Sequence, residues 1–113
     1  MRATKETVQE HLKDGERIWG VMRCSLNIFI HRQVNRPGLL AATDERLIFC
    51  GDSLAGDEIL EVYPFENIKD IRFKKGFFRN SVIMDYQYDV IKFKHLLTTE
   101  AKAFIDQIRE RIK

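Results

Sequence analysis

Long apolar runs are missing from this chain. Its longest uncharged apolar stretches, such as "SLNIFI" and "PGLLAAT", fall far short of the roughly 20 residues a membrane-spanning helix requires. The opening "MRATKETVQEHLKDGE" holds no apolar segment of the kind that directs secretion, so a protein made and kept in the cytoplasm is expected. Cysteine is scarce: Cys24 in "VMRCSL" and Cys50 in "RLIFCG" have no second cysteine or histidine at ligand spacing. They are expected to be reduced, buried thiols acting as small hydrophobes, and a structural disulfide would need an oxidising compartment that nothing here implies. The glycines form no phosphate-binding loop. His11, His31 and His95 fall on an expected helix, a loop and a strand end, and no Ser, Cys or carboxylate completes a triad or a paired-acid motif with them. Neither a catalytic site, a metal, a cofactor nor a small-molecule substrate is therefore expected.

What is present is ordinary globular material. The chain has 113 residues, of which 44% are hydrophobic and 32% charged, the size of one domain with one core, and no linker, repeat or low-complexity run divides it. A net charge of +2 is too small to argue for a polyanionic partner, but its distribution is uneven. Asp57, Glu58, Glu61, Glu66 and Asp70 face only Lys69, whereas the nine residues after Asp70 carry four cations and no acid. An acid-then-base order of this kind can build a dipolar surface, suited to a second copy as much as to an anionic partner.

The hydrophobic period changes along the chain. Val8 and Leu12 stand at helical spacing in a short helix over 1–14, with Gly15 placed to terminate it. From Glu16 onward Ile18, Gly20, Met22, Cys24 and Leu26 alternate with Trp19, Val21, Arg23 and Ser25, the period of a long strand. "NIFIHRQVNRPG" breaks that pattern, and Asn35, Pro37 and Gly38 predict a loop. "LLAAT" and "RLIFC" read as a tight hairpin across Asp44 and Glu45, "EILEVY" as a strand ended by Pro64, and "KDIRFKK" as a strand with Ile71 and Phe73 on the core face. "SVIMDY" and "DVIKFKH" pair across Gln87 and Tyr88. About seven short antiparallel strands over 16–96 predict a sandwich or barrel. A helix over 98–112 closes the chain, with Thr98 as N-cap and an apolar stripe of Ala101, Phe104, Ile105, Ile108 and Ile112 whose natural cover is the open end of the barrel.

This order, together with "GERIW", "GLLAATDERLIF", "VYPFENIKDIRFKKG" and "VIKFKH", resembles the pleckstrin-homology (PH) fold, and in particular the bacterial PH-like domains of the YokE-like group, similar in turn to GRAM domains. The resemblance covers about Gly15 to Ile112. It implies a mainly β, PH-like barrel of about seven antiparallel strands capped by a C-terminal amphipathic helix, with no catalytic activity and a binding or scaffolding role. Many PH domains that bind phosphoinositides carry a lysine and then a close Lys/Arg-X-Arg around the first strand and the loop after it. Here that region has Arg23, Arg32 and Arg36 but no lysine and no close Arg-X-Arg, which departs from inositol-phosphate recognition.

Two stretches are the expected interaction surfaces. "NIFIH" sets Ile28, Phe29 and Ile30 in a row, flanked by Arg32 and Arg36, so that a strand would expose at least one of the three. "KKGFFR" places Phe77 and Phe78 beyond Gly76 among Lys74, Lys75 and Arg79; a glycine turn there would point the two rings to opposite sides. The alternative for both is burial at a strand end or barrel mouth. Self-association, or contact with another protein, through these tips is the expected function. Peripheral attachment to anionic lipid headgroups at the inner membrane face through residues 74–79 is the alternative. Nucleic acid is not an expected partner, because Glu58 and Glu61 interrupt any continuous basic face.

Overall fold

Thr4 opens the first regular element. Its hydroxyl accepts from the Thr7 N–H at 3.3 Å while the Thr7 hydroxyl accepts from the Thr4 N–H at 3.2 Å, a capping box that starts helix α1 (Lys5–Gln9). In the computed structural model, which describes residues 2–29, 33–52, 59–76, 80–94, 96 and 100–112 and no side chain at Phe29 or Gln33, this helix is shorter than the expected 1–14. Five residues cannot hold a helix by themselves; α1 persists because Val8, its one buried residue, docks on the sheet. Gly15, with φ +82°, serves a later turn into the first strand instead of the helix end.

Among the described residues seven strands follow: β1 (Ile18–Phe29), β2 (Gln33–Thr43), β3 (Arg46–Gly51), β4 (Leu60–Pro64), β5 (Ile68–Lys75), β6 (Asn80–Tyr86) and β7 (Asp89–Lys94), with a 3-10 turn at Phe65–Asn67 and a helix α2 (Ala101–Ile112). All pairings are antiparallel and form one sheet in the order β4-β3-β2-β1-β7-β6-β5. Every strand contributes to one core cluster, from Met22 and Leu40 through Phe49 and Tyr63 to Ile71, Met84 and Phe93. A sheet whose seven strands face a common interior must curl, and this one forms a partly open barrel with β4 and β5 as its edges. This is the mainly β barrel that the alternating pattern predicts, in the PH-like form that the resemblance implies.

Within the sheet, two details depart from the sequence expectation. Pro37 and Gly38 lie inside β2, opposite Ser25 and Cys24, and not in a loop. Pro37 accepts from the Asp52 N–H through its carbonyl, and in an antiparallel strand the N–H and C=O of one residue point to the same side. Its missing N–H therefore points beyond Gly51, where β3 ends, and costs no bond to β1. Gly38 is required because a Cβ there would run into the Cys50 carbonyl. The second departure is a bulge at Trp19, where the pairing passes from Ile18↔Thr43 to Gly20↔Ala42. It flips the alternation, so Trp19 packs on the main core while Ile18 joins a second cluster on the outer face.

That outer cluster, Ala3, Val8, Leu39, Ala41, Ile48 and Cys50 with Leu12 and Ile18 beside it, is where the N-terminal segment covers β2 and β3. Two ion-pair staples hold the segment there. Arg23 donates to both Asp52 carboxylate oxygens, at 3.0 and 2.6 Å, and to the Ala3 carbonyl, and Asp52 also accepts from the Ala3 N–H. Glu16 accepts two bonds from Arg46, at 2.8 and 2.9 Å, and one from the buried Thr43 hydroxyl at 2.7 Å. These bonds hold the Glu16 carboxyl down to about 2 from an ordinary 4.5.

At one end of the barrel α2 buries Ala101, Phe104, Ile105 and Ile108 against the core, as its stripe predicts; Thr98, its expected N-cap, lies outside the described residues. Trp19 anchors the helix, its ring tilted against Phe104 at 5.6 Å and the Arg111 guanidinium 4.4 Å above it, with its Nε1 donating to the Thr43 carbonyl at 2.7 Å.

Candidate functional site

Strand register decides how the two expected surfaces lie. β1 runs against β7 through Ser25↔Lys94 and Asn27↔Lys92, so the β1–β2 connection emerges beside Asp89 and the β6–β7 turn. β6 runs against β7 through Val82↔Phe93, so the β5–β6 connection emerges beyond Lys94. The two tips leave opposite ends of the ladder, about 25 Å apart at the strand rise per residue. The expected surfaces therefore cannot combine into one patch.

The residues named on them divide accordingly. Ile28 is half-buried and packs on the core, opposite Val34; Phe29 ends β1 and its side chain lies outside the described set, as do Ile30 and Arg32. Arg36, half-buried, sits opposite Leu26 and shares its inward face. Arg23 is no phosphate ligand in waiting, because Asp52 and Ala3 already take bonds from both its terminal nitrogens and its Nε is buried. At the other end Phe73 is half-buried against the core while Arg72 is exposed, as the alternation predicts, and Arg72 bridges Asp70 at 3.1 Å and Asp85 at 3.0 Å. Lys74 and Lys75 are exposed and make no ion pair among the described residues. Phe77, Phe78 and Arg79 lie outside that set.

The end left uncovered by α2 holds a cleft of about 500 Å³, between the β4 edge and the strands β1, β6 and β7. Leu26 and Ile28 from β1, Val62 and Tyr63 from β4, Tyr86 from β6 and Val90 and Ile91 from β7 wall it, and Glu61 and Asp89 set a carboxylate on either side. Alternation places Glu61 on the face of buried Tyr63, and Asp89 on the face of Ile91 and buried Phe93. Tyr63 and Tyr86 meet edge to face at 5.2 Å and stiffen the floor, and burial pushes the Tyr63 hydroxyl well above the usual range. Neither Glu61 nor Asp89 makes an ion pair among the described residues.

The described residues include four exposed large hydrophobics, and three stand at this end: Tyr88 (99% exposed) in the β6–β7 turn, Val90 (59%) and Leu60 (42%). Tyr88 is reached by Lys69, whose ammonium lies 5.5 Å from the ring centroid. Beside the mouth, β4 presents a free edge. Ile59 and Phe65 bond toward β3, so the alternate groups, on Leu60 and Val62, point outward; Pro64 takes the next outward position, where its missing donor shortens the open edge.

The other grooves are less suited to a ligand. One of about 430 Å³ over Val62 and Pro64 is bounded by Lys13, Glu45, Arg46 and Glu66, and its cations are already matched to Glu45 or to Glu16. Another, of about 570 Å³, is a shallow groove where Arg111 covers Trp19. Among the described residues no group of three His, Cys, Asp or Glu is placed to hold a metal. Both cysteines are buried and lie on opposite faces of the sheet, not bridged to each other, and burial pushes the Cys24 thiol up to about 12, which keeps it protonated. No helix of the described residues is long and apolar enough to cross a membrane.

Sequence reading put Ile28 on this surface and missed the rest. Glu61, Tyr86, Asp89 and Ile91 carry no local motif; the one local signal was the "YQYD" hairpin, where Gln87 adopts φ +53° and lifts Tyr88 into solvent.

Among solved structures, the chain is similar to the C-terminal domain of an unknown protein from Leishmania infantum, at 20% identity and a TM-score of 0.69 over 88% of each chain. It is also similar to the linker-DH/PH domains of p115-RhoGEF, at 11% identity and a TM-score of 0.56 over 96% of this chain and 34% of that one. No match was found among curated protein sequences. A bacterial PH domain family matches from Leu12 to Glu110, across every strand and into the last turn of α2. The fold is thus that of a binding module, and the chain belongs to the bacterial PH domain family.

Proposed function

We propose that this bacterial PH domain is a non-catalytic contact module that binds a protein chain through the open mouth of the barrel. The observation that carries the reading is the pairing of apolar walls at Ile28, Tyr86 and Ile91 with carboxylates at Glu61 and Asp89. Carboxylates at a mouth repel inositol phosphates and anionic headgroups, and attract lysine or arginine. Its volume lies in the range of roughly 300–1,000 Å³ typical of ligand clefts. The partner that fits is a segment with an aromatic or aliphatic side chain between cations. Self-association is the finer form of this reading, with a second copy supplying that segment.

Backbone amide shifts report the site directly. A peptide carrying one phenylalanine between two arginines should move the amides of Ile28, Tyr86, Val90 and Ile91, and inositol hexakisphosphate should leave them in place. Movement of those amides by the polyanion and not by the peptide would overturn the reading.

A second reading, peripheral binding to anionic membranes, is supported by Lys74 and Lys75 at the opposite end, which are exposed and make no ion pair among the described residues. It requires sedimentation with phosphatidylserine vesicles that weakens with salt, disappears in Lys74→Glu/Lys75→Glu and is indifferent to Asp89→Asn. Equal sedimentation of the lysine variant would remove it.

A further inference from the structure

We infer that the mouth receives the β5–β6 connection of a second copy of this chain, so that copies associate head to tail. The inference rests on the mouth reading above and names its partner. The mouth asks for an aromatic group flanked by cations, because Glu61 and Asp89 stand on either side of walls formed by Ile28, Tyr86 and Ile91. The strand connection with that composition is "KKGFFR", with Lys74, Lys75 and Arg79 around Phe77 and Phe78 and no acid between Asp70 and Asp85; Phe93, between Lys92 and Lys94, is buried within β7. The cations at its near edge are available. Arg72 is already held by Asp70 and Asp85, whereas Lys74 and Lys75 are exposed and make no ion pair among the described residues.

Geometry excludes the intramolecular version. The connection leaves the sheet beyond Lys94 and the mouth opens beside Asp89, with the hydrogen-bonded ladder of β6, β7 and β1 between them. That separation is about 25 Å along strands that cannot shorten, so a tip can reach only another copy's mouth. The two contacting surfaces differ, which makes the interface heterologous: each associated copy still offers a free mouth or a free tip, and growth proceeds to an open chain or a closed ring. The energy is that of one or two buried rings and a few charge pairs, an association of modest affinity in which ionic strength matters.

Sedimentation velocity over a concentration series tests it, with two variants that thermal unfolding first shows to be folded. Glu61→Lys/Asp89→Lys closes the mouth and leaves the tip intact; Lys74→Ala/Lys75→Ala/Phe77→Ala/Phe78→Ala removes the tip and leaves the mouth. The wild-type protein should pass beyond dimer as concentration rises, and its association should weaken about tenfold between ~0.05 and ~0.5 M salt. Each variant alone should remain monomeric, and an equimolar mixture should form a one-to-one dimer that grows no further, since only one live mouth and one live tip meet. A wild-type protein that stays monomeric, or a dimer that survives in either variant, overturns the head-to-tail assembly. Shifts at Ile28 and Ile91 on adding the arginine-flanked peptide would then leave the mouth reading standing, and their absence would remove that too.

Discussion

One sheet ends in two different ways. At the α2 end the polar groups are matched: Trp19 Nε1 is bonded to the Thr43 carbonyl, Arg111 lies over the Trp19 ring, and Glu16 is held by Arg46 and Thr43. At the mouth Glu61 and Asp89 line an apolar cleft with no described partner, and Tyr88, Val90 and Leu60 stand in solvent. The first arrangement is what stability selects, since buried polar groups without partners are costly. The second costs stability or contributes none, and is the one expected where a surface is kept for a partner.

The contrast can be broken in a graded way. Truncating Phe104, which is almost fully buried between α2 and Trp19, should cost about 3–5 kcal/mol in thermal or urea unfolding, the cost of deleting a core aromatic. A loss under about 1 kcal/mol would mean that α2 does not seal the barrel. Glu16→Gln should cost about 3 kcal/mol near neutral pH, because the carboxylate titrates near 2 in the folded chain against an ordinary 4.5. The folded value is the lower one, so this contribution is complete above pH 4.5 and is lost as pH falls through 2. The variant should accordingly show a flatter stability profile than the parent in that window. Gly38→Ala should cost about 1–3 kcal/mol, since its Cβ would meet the Cys50 and Gly51 backbone and the fully buried Phe49 ring, none of which can swing aside freely. At the mouth, Asp89→Asn and Val90→Ala should change stability by less than about 0.5 kcal/mol while weakening the arginine-flanked peptide in the amide-shift titration. A stability loss at Asp89 comparable to that at Glu16 would erase the difference between the two ends.

Much of this architecture is legible in the residues. Alternation locates all seven strands, the Asp44–Glu45 and Gln87–Tyr88 turns stand where their neighbours predict, and the stripe of Ala101, Phe104, Ile105 and Ile108 is the face that α2 buries. The misreadings have local causes. Pro37–Gly38 carries turn chemistry, yet the end of β3 leaves room for a proline inside β2. The Trp19 bulge adds a residue to β1 without any sign in the alternation, and so sends Ile18 to the face opposite the one expected. The N-terminal helix looks unspecific because its purpose, covering Leu39, Ala41, Ile48 and Cys50, appears only once those residues share an outer face. Both "NIFIH" and "KKGFFR" were visible as tips; that they leave opposite ends was not.

The sequence by itself determined the period of each segment, the turns between them and the opposite charge of the 57–70 and 71–79 stretches, because periodicity, turn propensity and charge depend on near neighbours. Only the tertiary structure decided that Arg23 is bonded to Asp52, that Glu61 and Asp89 line one cleft, and that the β5–β6 connection leaves the sheet at the far end from it. Those outcomes depend on which strands hydrogen-bond and in what register, a choice made by residues far apart in the chain when the sheet curls around a shared core.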